Sequence, residues 1–426
     1  MKSSGWGRYP VIDSKALNSN KDDWWSQPFI SQGNARSYGD ASLSEFHLPT
    51  QRFNRFLEFN EESGLLTCEA GVQLSEVIEA FLPHGWFLSV TPGTKLITIG
   101  GAIASDVHGK NHHVQGCFSQ CVEWFDLLLP NGEEFRCSTQ DNAELFHATC
   151  GGMGLTGVIL RAAFYLKSVK SQWVKQTTVK AKNLKETFEA FESNKSCTYS
   201  VAWIDCLATG EKLGRSLLML GDFIDDGDLN YQPKSNITVP FDFPSFSLNS
   251  FSVKAFNTLY YAKAKKGESS QKVDIDTFFY PLDAINHWNR IYGKKGFVQF
   301  QFILPKAISY DGLTQILSRI SRSGMGSFLA VLKLYGAQNK NWLSFPMEGY
   351  SLALDFKMQK GLIEFLSELT DQVVGLGGRI YLAKDALLTK EQFEQSYPNT
   401  EQFRALRKKL GLSDHFQSLQ SERLGL

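Results

Sequence analysis

PGTKLITIGGAIASDVHGKNHH, residues 92–113, is the stretch on which the reading of this chain turns. Pro92-Gly93-Thr94 is a turn signal, with proline presetting φ and glycine free to take positive φ. Gly100, Gly101, Ala102, Ala104 and Ser105 are all small, so backbone can approach something large and flat. The sequence HGKNHH, residues 108–113, then crowds polar groups behind an apolar run. Small side chains and backbone N–H groups suit a ligand with a pyrophosphate and a planar ring. A glycine-rich turn between strands is the plainer reading of the same residues. His108 and His112 stand four apart, but Gly109 interrupts a helical face and no carboxylate completes a zinc set, so no metal site is expected.

Two further glycine stretches flank it in the chain. SQGNARSYGDA, residues 31–41, brings Arg36, Ser37, Tyr38 and Asp40 close together. Its backbone N–H groups and Arg36 can hold a pyrophosphate, or the loop can be a solvated turn with a surface arginine. GGMGLTG, residues 151–157, precedes a mostly apolar strand over 158–166 and again permits close backbone approach.

Composition sets outer bounds. A chain of 426 residues exceeds a usual single core, so two domains, or one with a large insertion, are expected. Formal net charge is zero, which gives no general argument for nucleic acid or an anionic surface as partner. The 32 Phe can build cores or line a site for an apolar ligand. Seven scattered cysteines suggest reduced thiols rather than a disulfide framework. The first residues lack the apolar core of a signal peptide, and no apolar run reaches the roughly 18 residues needed to span a bilayer. A cytoplasmic protein is expected, with peripheral membrane contact still open.

Periodicity supplies the elements. Residues 64–72 read as a strand, and 74–82 as a helix through Leu74, Val77, Ile78 and Phe81. Residues 122–129 and 134–137 flank Pro130-Asn131-Gly132, a hairpin signal. Residues 141–149 read as a short helix. The texture changes over 168–182, where a domain boundary is placed. Residues 184–191 read as a helix and 200–205 as a strand. Residues 221–276 show no clear period and are read as a mobile flap. In a strand over 297–303, Val298, Phe300 and Phe302 share one face while Gln299 and Gln301 share the other. The glutamine pair either lines a polar pocket or sits on an exposed sheet face. Lys333 and Lys384 each fall inside an apolar strand, over 329–335 and 379–385. A snorkelling lysine is the ordinary reading; two lysines beside a glutamine pair favour a site for an anion or a hydroxylated ligand. Residues 361–374 read as a helix with Leu362, Ile363, Leu366, Leu369 and Val373 on its apolar side. The class is mixed α+β. No glycine fingerprint of a Rossmann nicotinamide site and no Walker A sequence is present.

GNARSYGD (33–40), PGTKLITIGGAIASDVHGKNHH (92–113), NAELF (142–146) and GGMGLTGVI (151–159) together resemble the vanillyl-alcohol-oxidase/PCMH class of FAD flavoenzymes. Within that class the chain is most similar to the branch of decaprenylphosphoryl-β-D-ribose 2′-oxidases. The likeness continues through SVAWIDC (200–206), YPLDAINHWNRIYGKKGFVQFQFILP (280–305), LKLYG (332–336), LSFPMEGYSLALDF (343–356) and GGRIYLAKDA (377–386). It covers nearly the whole chain from about residue 5.

The resemblance implies a two-domain fold: an FAD domain from residues 1–172 with 379–426, and an antiparallel-sheet substrate domain over 173–378. It implies a pyrophosphate loop of Ser31, Gln32, Gly33, Asn34, Ala35, Arg36, Ser37, Tyr38, Gly39, Asp40 and Ala41. Gly93, Thr98, Ile99, Gly100, Gly101, Ser105, Asp106, Val107 and His108 would also meet FAD, as would Val158, Ile159 and Tyr381. Many relatives tether FAD through a histidine in the first glycine loop; that loop has none here, which fits noncovalent FAD. By the same resemblance Lys384, His108 and Tyr38 are catalytic, and Lys110, Gln299, Gln301 and Lys333 bind substrate. The implied activity is oxidation of a hydroxyl of a polyprenyl-phosphate-linked pentose to the keto form, with hydride passing to flavin N5. A short-chain dehydrogenase/reductase partner would then complete a 2′-epimerisation toward arabinose for cell-wall polysaccharide. A free-sugar or aldonolactone oxidase and a noncatalytic FAD-fold protein are the alternatives. The chain departs from the family pattern in three places. It is shorter between Pro10 and Ser31. Ala35 replaces a usual glycine. Ala353 and Ser351 stand where the mycobacterial members have cysteine and asparagine.

Overall fold

The alternating stretch at 297–303 becomes the nine-residue strand Phe297–Pro305, one of the longest strands in a large antiparallel sheet. The computed structural model describes residues 2–18, 21–233, 236–244 and 247–426. Among these residues the sheet has eight strands, in the order Glu268–Asp274, Trp173–Ala181, Ser216–Phe223, Tyr199–Ile204, Ala330–Tyr335, Gly349–Lys357, Phe297–Pro305 and Arg379–Ile380. Its side-chain alternation separates two environments. Val298, Phe300 and Phe302 join the core, while Gln299 and Gln301 face a cavity on the other side. Helices Leu184–Ser193, Ser309–Ser323 and Leu362–Gly375 supply apolar stripes to that core. Leu362, Leu366, Leu369 and Val373 are all fully buried, each worth roughly 1.5–3 kcal/mol of burial.

A second sheet carries the glycine stretches. Its strands run in the order Glu134–Cys137, Val122–Leu128, Val158–Ser168, Leu65–Glu69 and Phe56–Asn60, with Trp86–Leu88 also pairing Val158–Ser168. The expected hairpin forms, with Glu134 opposite Leu128 and Cys137 opposite Phe125. A small parallel sheet of Lys15–Ala16, Phe46–Pro49 and Ile30–Gln32 leads into the first glycine loop. The fold is a mixed α+β arrangement, as the sequence reading expects.

Two differences from the sequence reading matter. Residues 379–385 do not form one strand: pairing stops at Ile380, and the Lys384 and Asp385 amides close a turn onto the Tyr381 and Leu382 carbonyls. Lys384 therefore projects from a turn rather than from a strand face. Residues 221–276, read as a flap without regular structure, contain helix Ser250–Lys263 and strand Glu268–Asp274. Positions 234, 235, 245 and 246 of that stretch lie outside the described residues. The helix escaped the sequence reading because many of its apolar side chains point outward, so its pattern does not match that of a core-facing helix.

Candidate active site

Three glycine-bearing loops and one face of the large sheet enclose a cavity of about 860 Å³, within the range of cofactor and ligand sites. Thr98 caps the short helix Ile99–Ala104 by accepting a hydrogen bond from the Gly101 amide at 3.2 Å. That cap turns Gly100, Gly101 and Ala104 toward the cavity wall. The 31–41 loop is fixed at two adjacent residues, Ser37 and Tyr38. The Trp6 amide donates to the Ser37 carbonyl at 2.8 Å, and the Tyr38 amide to the Ala383 carbonyl at 3.0 Å. Gly39 is required by close approach: a Cβ there would lie 1.6 Å from the Asp385 carbonyl oxygen. Ala35, at the family's glycine position, has φ of 47°, a left-handed conformation that costs a residue with a Cβ.

Most of the expected cofactor residues border the cavity: Ser31, Gly33, Asn34, Ala35, Arg36, Ser37, Tyr38, Ala41, Gly93, Thr98, Gly100, Gly101, Ser105, Val107, His108, Ile159 and Tyr381. Six do not. Ile99 and Val158 are buried in the core. Gln32 donates to the Ser42 carbonyl, and Gly39 packs on Asp385. Asp40 pairs with Arg423. Asp106 accepts from Asn339, Asn341 and Ser344 beneath the loop. These six shape the walls from behind.

The expected catalytic and substrate residues all reach the same cavity. The Lys384 ammonium lies 3.7 Å from the centre of the Tyr38 ring, a cation–π contact. Gln301 sits between His108, Tyr335 and Ser351, with its amide nitrogen 3.4 to 3.5 Å from each. Gln299 donates to Asp355, directly opposite in the neighbouring strand, at 2.5 Å. The Lys110 ammonium donates to the Phe278 carbonyl and lies 4.5 Å from the centre of the Phe278 ring.

Burial governs the charges. Desolvation lowers Lys384 to about 7, opposed by Asp355 and assisted by Lys333. Desolvation lowers Lys333 to about 8, and desolvation with Lys333 lowers Lys110 to about 7. His108 is pushed well below its usual range, first by burial, then by Lys333, His112 and Lys384. Burial raises Asp355 to about 7 against the pull of Gln299, Lys384 and Tyr292. Lys110, Lys333, Lys384 and His108 line the cavity, while Asp355 stands behind Gln299 and does not; lysines lowered toward neutrality in one cavity favour proton exchange there. Sequence reading missed Asp355, because its place opposite Gln299 comes from strand register. It also missed Asp283, which receives the Thr94 hydroxyl and the Lys95 amide, both at 2.8 Å.

FAD fits this cavity on two observations. Ser31 Oγ and His108 Nδ1 are buried without a protein partner, and both residues line the wall. A Cβ added at Gly93 would meet nothing within 4 Å, so open space adjoins that loop. Loop amides with Arg36 suit a pyrophosphate, and the small residues of the 98–105 segment suit a flat ring.

An α+β PCMH-type scaffold whose glycine loops share one cavity with Lys110, Lys333 and Lys384 defines an FAD-binding oxidoreductase. Residues 23–138 match the FAD binding domain family. Over 448 aligned residues the chain is 34% identical to decaprenylphosphoryl-beta-D-ribose oxidase of Mycolicibacterium smegmatis, covering 99% of this chain and 97% of that protein. Bovine L-gulonolactone oxidase is 31% identical over 38% of this chain and 36% of its own length. Delta(24)-sterol reductase of Arabidopsis thaliana is 27% identical over 34% and 26%. The chain belongs to the family of the decaprenylphosphoryl-ribose oxidase, as an FAD enzyme of the oxidoreductase class.

Proposed function

We propose that this chain oxidises a secondary hydroxyl of a polyprenyl-phosphate-linked pentose, the 2′-hydroxyl of decaprenylphosphoryl-ribose or a close analogue, to the ketone. The observation that carries this reading is the double character of the cavity wall. One group of lining residues is polar: Lys110, Lys333, Lys384, Gln299, Gln301 and His108. Another is apolar and aromatic: Val201, Trp203, Met219, Phe256, Tyr260, Phe328 and Val331. The first suits a phosphorylated sugar and the second a prenyl chain; a free aldonolactone would use only the first. The similarity to the mycobacterial oxidase over the whole chain supports the same substrate class.

When bound, FAD supplies the acceptor for the hydride that leaves the carbinol carbon. The chain binds and positions. Lys384, held against Tyr38, places positive charge where negative charge grows as the hydroxyl proton departs. With their values lowered to about 7 or 8, Lys110, Lys333 and Lys384 can each hold or release a proton near neutral pH. Gln299 and Gln301 offer amides to sugar hydroxyls from a rigid strand. Ser351 and Ala353 occupy the opposing strand, Ala353 facing Gln301 in register, so no thiol borders the sugar there. Among the described residues His108 is the only histidine on the wall and no cysteine lines it, which supports noncovalent FAD.

The ketone product calls for a partner reductase of the short-chain dehydrogenase type, the pair together achieving 2′-epimerisation. We place the enzyme in the cytoplasm with access to a membrane; its seven free cysteines fit a reducing compartment. Among the described residues no helix is long and apolar enough to cross a membrane. The test is anaerobic mixing of the FAD-loaded protein with a prenylphosphoryl ribose. Bleaching of the flavin by that compound, but not by an aldonolactone, is expected. Bleaching by the lactone alone would replace this reading with that of a lactone oxidase.

A further inference from the structure

Helix Ser250–Lys263 buries Val253 and Asn257 against the protein. At 100° per residue its opposite side carries Phe251, Ala255, Leu259 and Ala262. Phe251 is 80% exposed and Leu259 71%. Lys254 borders this arc on one side and Lys263 on the other, both exposed, and Lys265 and Lys266 follow the helix. From residue 243 to residue 267 the sequence has these four lysines and no aspartate or glutamate. Isolated surface apolar residues are ordinary, but an apolar arc between cationic flanks is the pattern of a helix lying in a membrane interface.

The same helix also forms part of the cavity wall. Phe256 and Tyr260, stacked with ring centres 5.8 Å apart, line the cavity, and Tyr260 packs edge-on against Trp203, another lining residue, at 4.8 Å. Ile237, 75% exposed, pairs through the backbone with Ile285, another lining residue.

We propose that the outward face of helix Ser250–Lys263 docks on an anionic phospholipid bilayer, setting the aromatic part of the cavity wall beside the acyl layer from which a lipid-linked substrate enters. The surface assigned here rests on the reading of a prenyl-linked substrate. Charge complementarity selects a bilayer over a second copy of the chain. Two such faces would bring like charges together, whereas acidic headgroups neutralise Lys254, Lys263, Lys265 and Lys266 while Phe251 and Leu259 enter the interface.

The experiment is sedimentation of the FAD-loaded protein with phosphatidylcholine vesicles, with and without phosphatidylglycerol. Expected is binding to the mixed vesicles that weakens with salt. It should fall more than tenfold in Phe251→Glu/Leu259→Glu, and also in Lys265→Glu/Lys266→Glu, which leaves the apolar arc intact. Neither pair lines the cavity, so both variants should keep their flavin spectrum and their reduction by a water-soluble short-chain prenylphosphoryl pentose. That reaction separates failure of this surface from failure of the substrate reading. Equal binding of wild type and both variants, no binding of wild type, or a wild-type dimer that Phe251→Glu/Leu259→Glu dissolves would each overturn the proposal.

Discussion

Lys384 concentrates the residue-scale argument. It is buried, it lies on Tyr38, and Asp355 and Lys333 pull its proton affinity in opposite directions. Replacing it with methionine keeps the stem and removes the charge. Lys384→Met should retain FAD yet slow substrate-driven bleaching by roughly 10²–10³-fold, the usual loss when one group stabilising developing charge is removed. Single-turnover mixing measures this, and an unchanged rate would take Lys384 out of the chemistry. Ala35 makes the opposite kind of prediction. Its φ of 47° is costly for a residue with a Cβ. Ala35→Gly should stabilise the protein by about 1 kcal/mol, read as a higher denaturant midpoint, with tighter FAD retention if the loop's strain opposes binding.

Among the elements, the C-terminal helix Leu419–Leu424 deserves as much weight as the glycine loops. Arg423 spans Asp40 and Asp385, with both contacts at 2.8 Å, and so ties the first glycine loop to the turn that carries Lys384. Asp385 also receives the Leu387 and Leu388 amides. Arg423→Met would leave two buried carboxylates without their cation, an expected cost of about 3 kcal/mol. Chemical denaturation checks the stability, and FAD loss on dilution checks the loop. This clamp joins residues 383 positions apart, so no local pattern could announce it. Gln299 and Gln301 were legible because strand alternation is local arithmetic. Asp355 was not, because only the pairing of Phe297–Pro305 with Gly349–Lys357 sets it opposite Gln299. The apolar stretch around Lys384 looked like strand throughout, and the turn after Ile380 depends on backbone bonds that composition does not encode. The glycine loops were recognisable as a set, yet six of their expected contacts proved to be support, since a motif names a loop and not the direction each side chain takes.

At the scale of the molecule, the site is a burden on stability, and pH reveals it. Lys333 has an ordinary value of 10.5 and is lowered by burial to about 8. Between those values the unfolded chain holds a proton that the folded chain lacks. Stability therefore rises with pH across that window, by up to about 1.4 kcal/mol per pH unit for one such group. Below about 8 both states are protonated and the full cost of the buried charge is present. Lys110 and Lys384 act with the same sign from about 7 upward. Asp355 acts in reverse: raised to about 7, it costs progressively more as pH climbs toward that value, then no further. The FAD-free protein should therefore pay most for its site near neutrality. Lys333→Met removes that contribution together with the part of the Lys110 and Lys384 shifts that Lys333 causes. Its packing change shifts stability equally at every pH, so the difference between wild type and variant should move in favour of wild type from about pH 7 to about 10.5. Denaturant midpoints at successive pH values measure it. Parallel curves would show that Lys333 keeps an ordinary proton affinity, and its place in the proton handling of the cavity would then be lost.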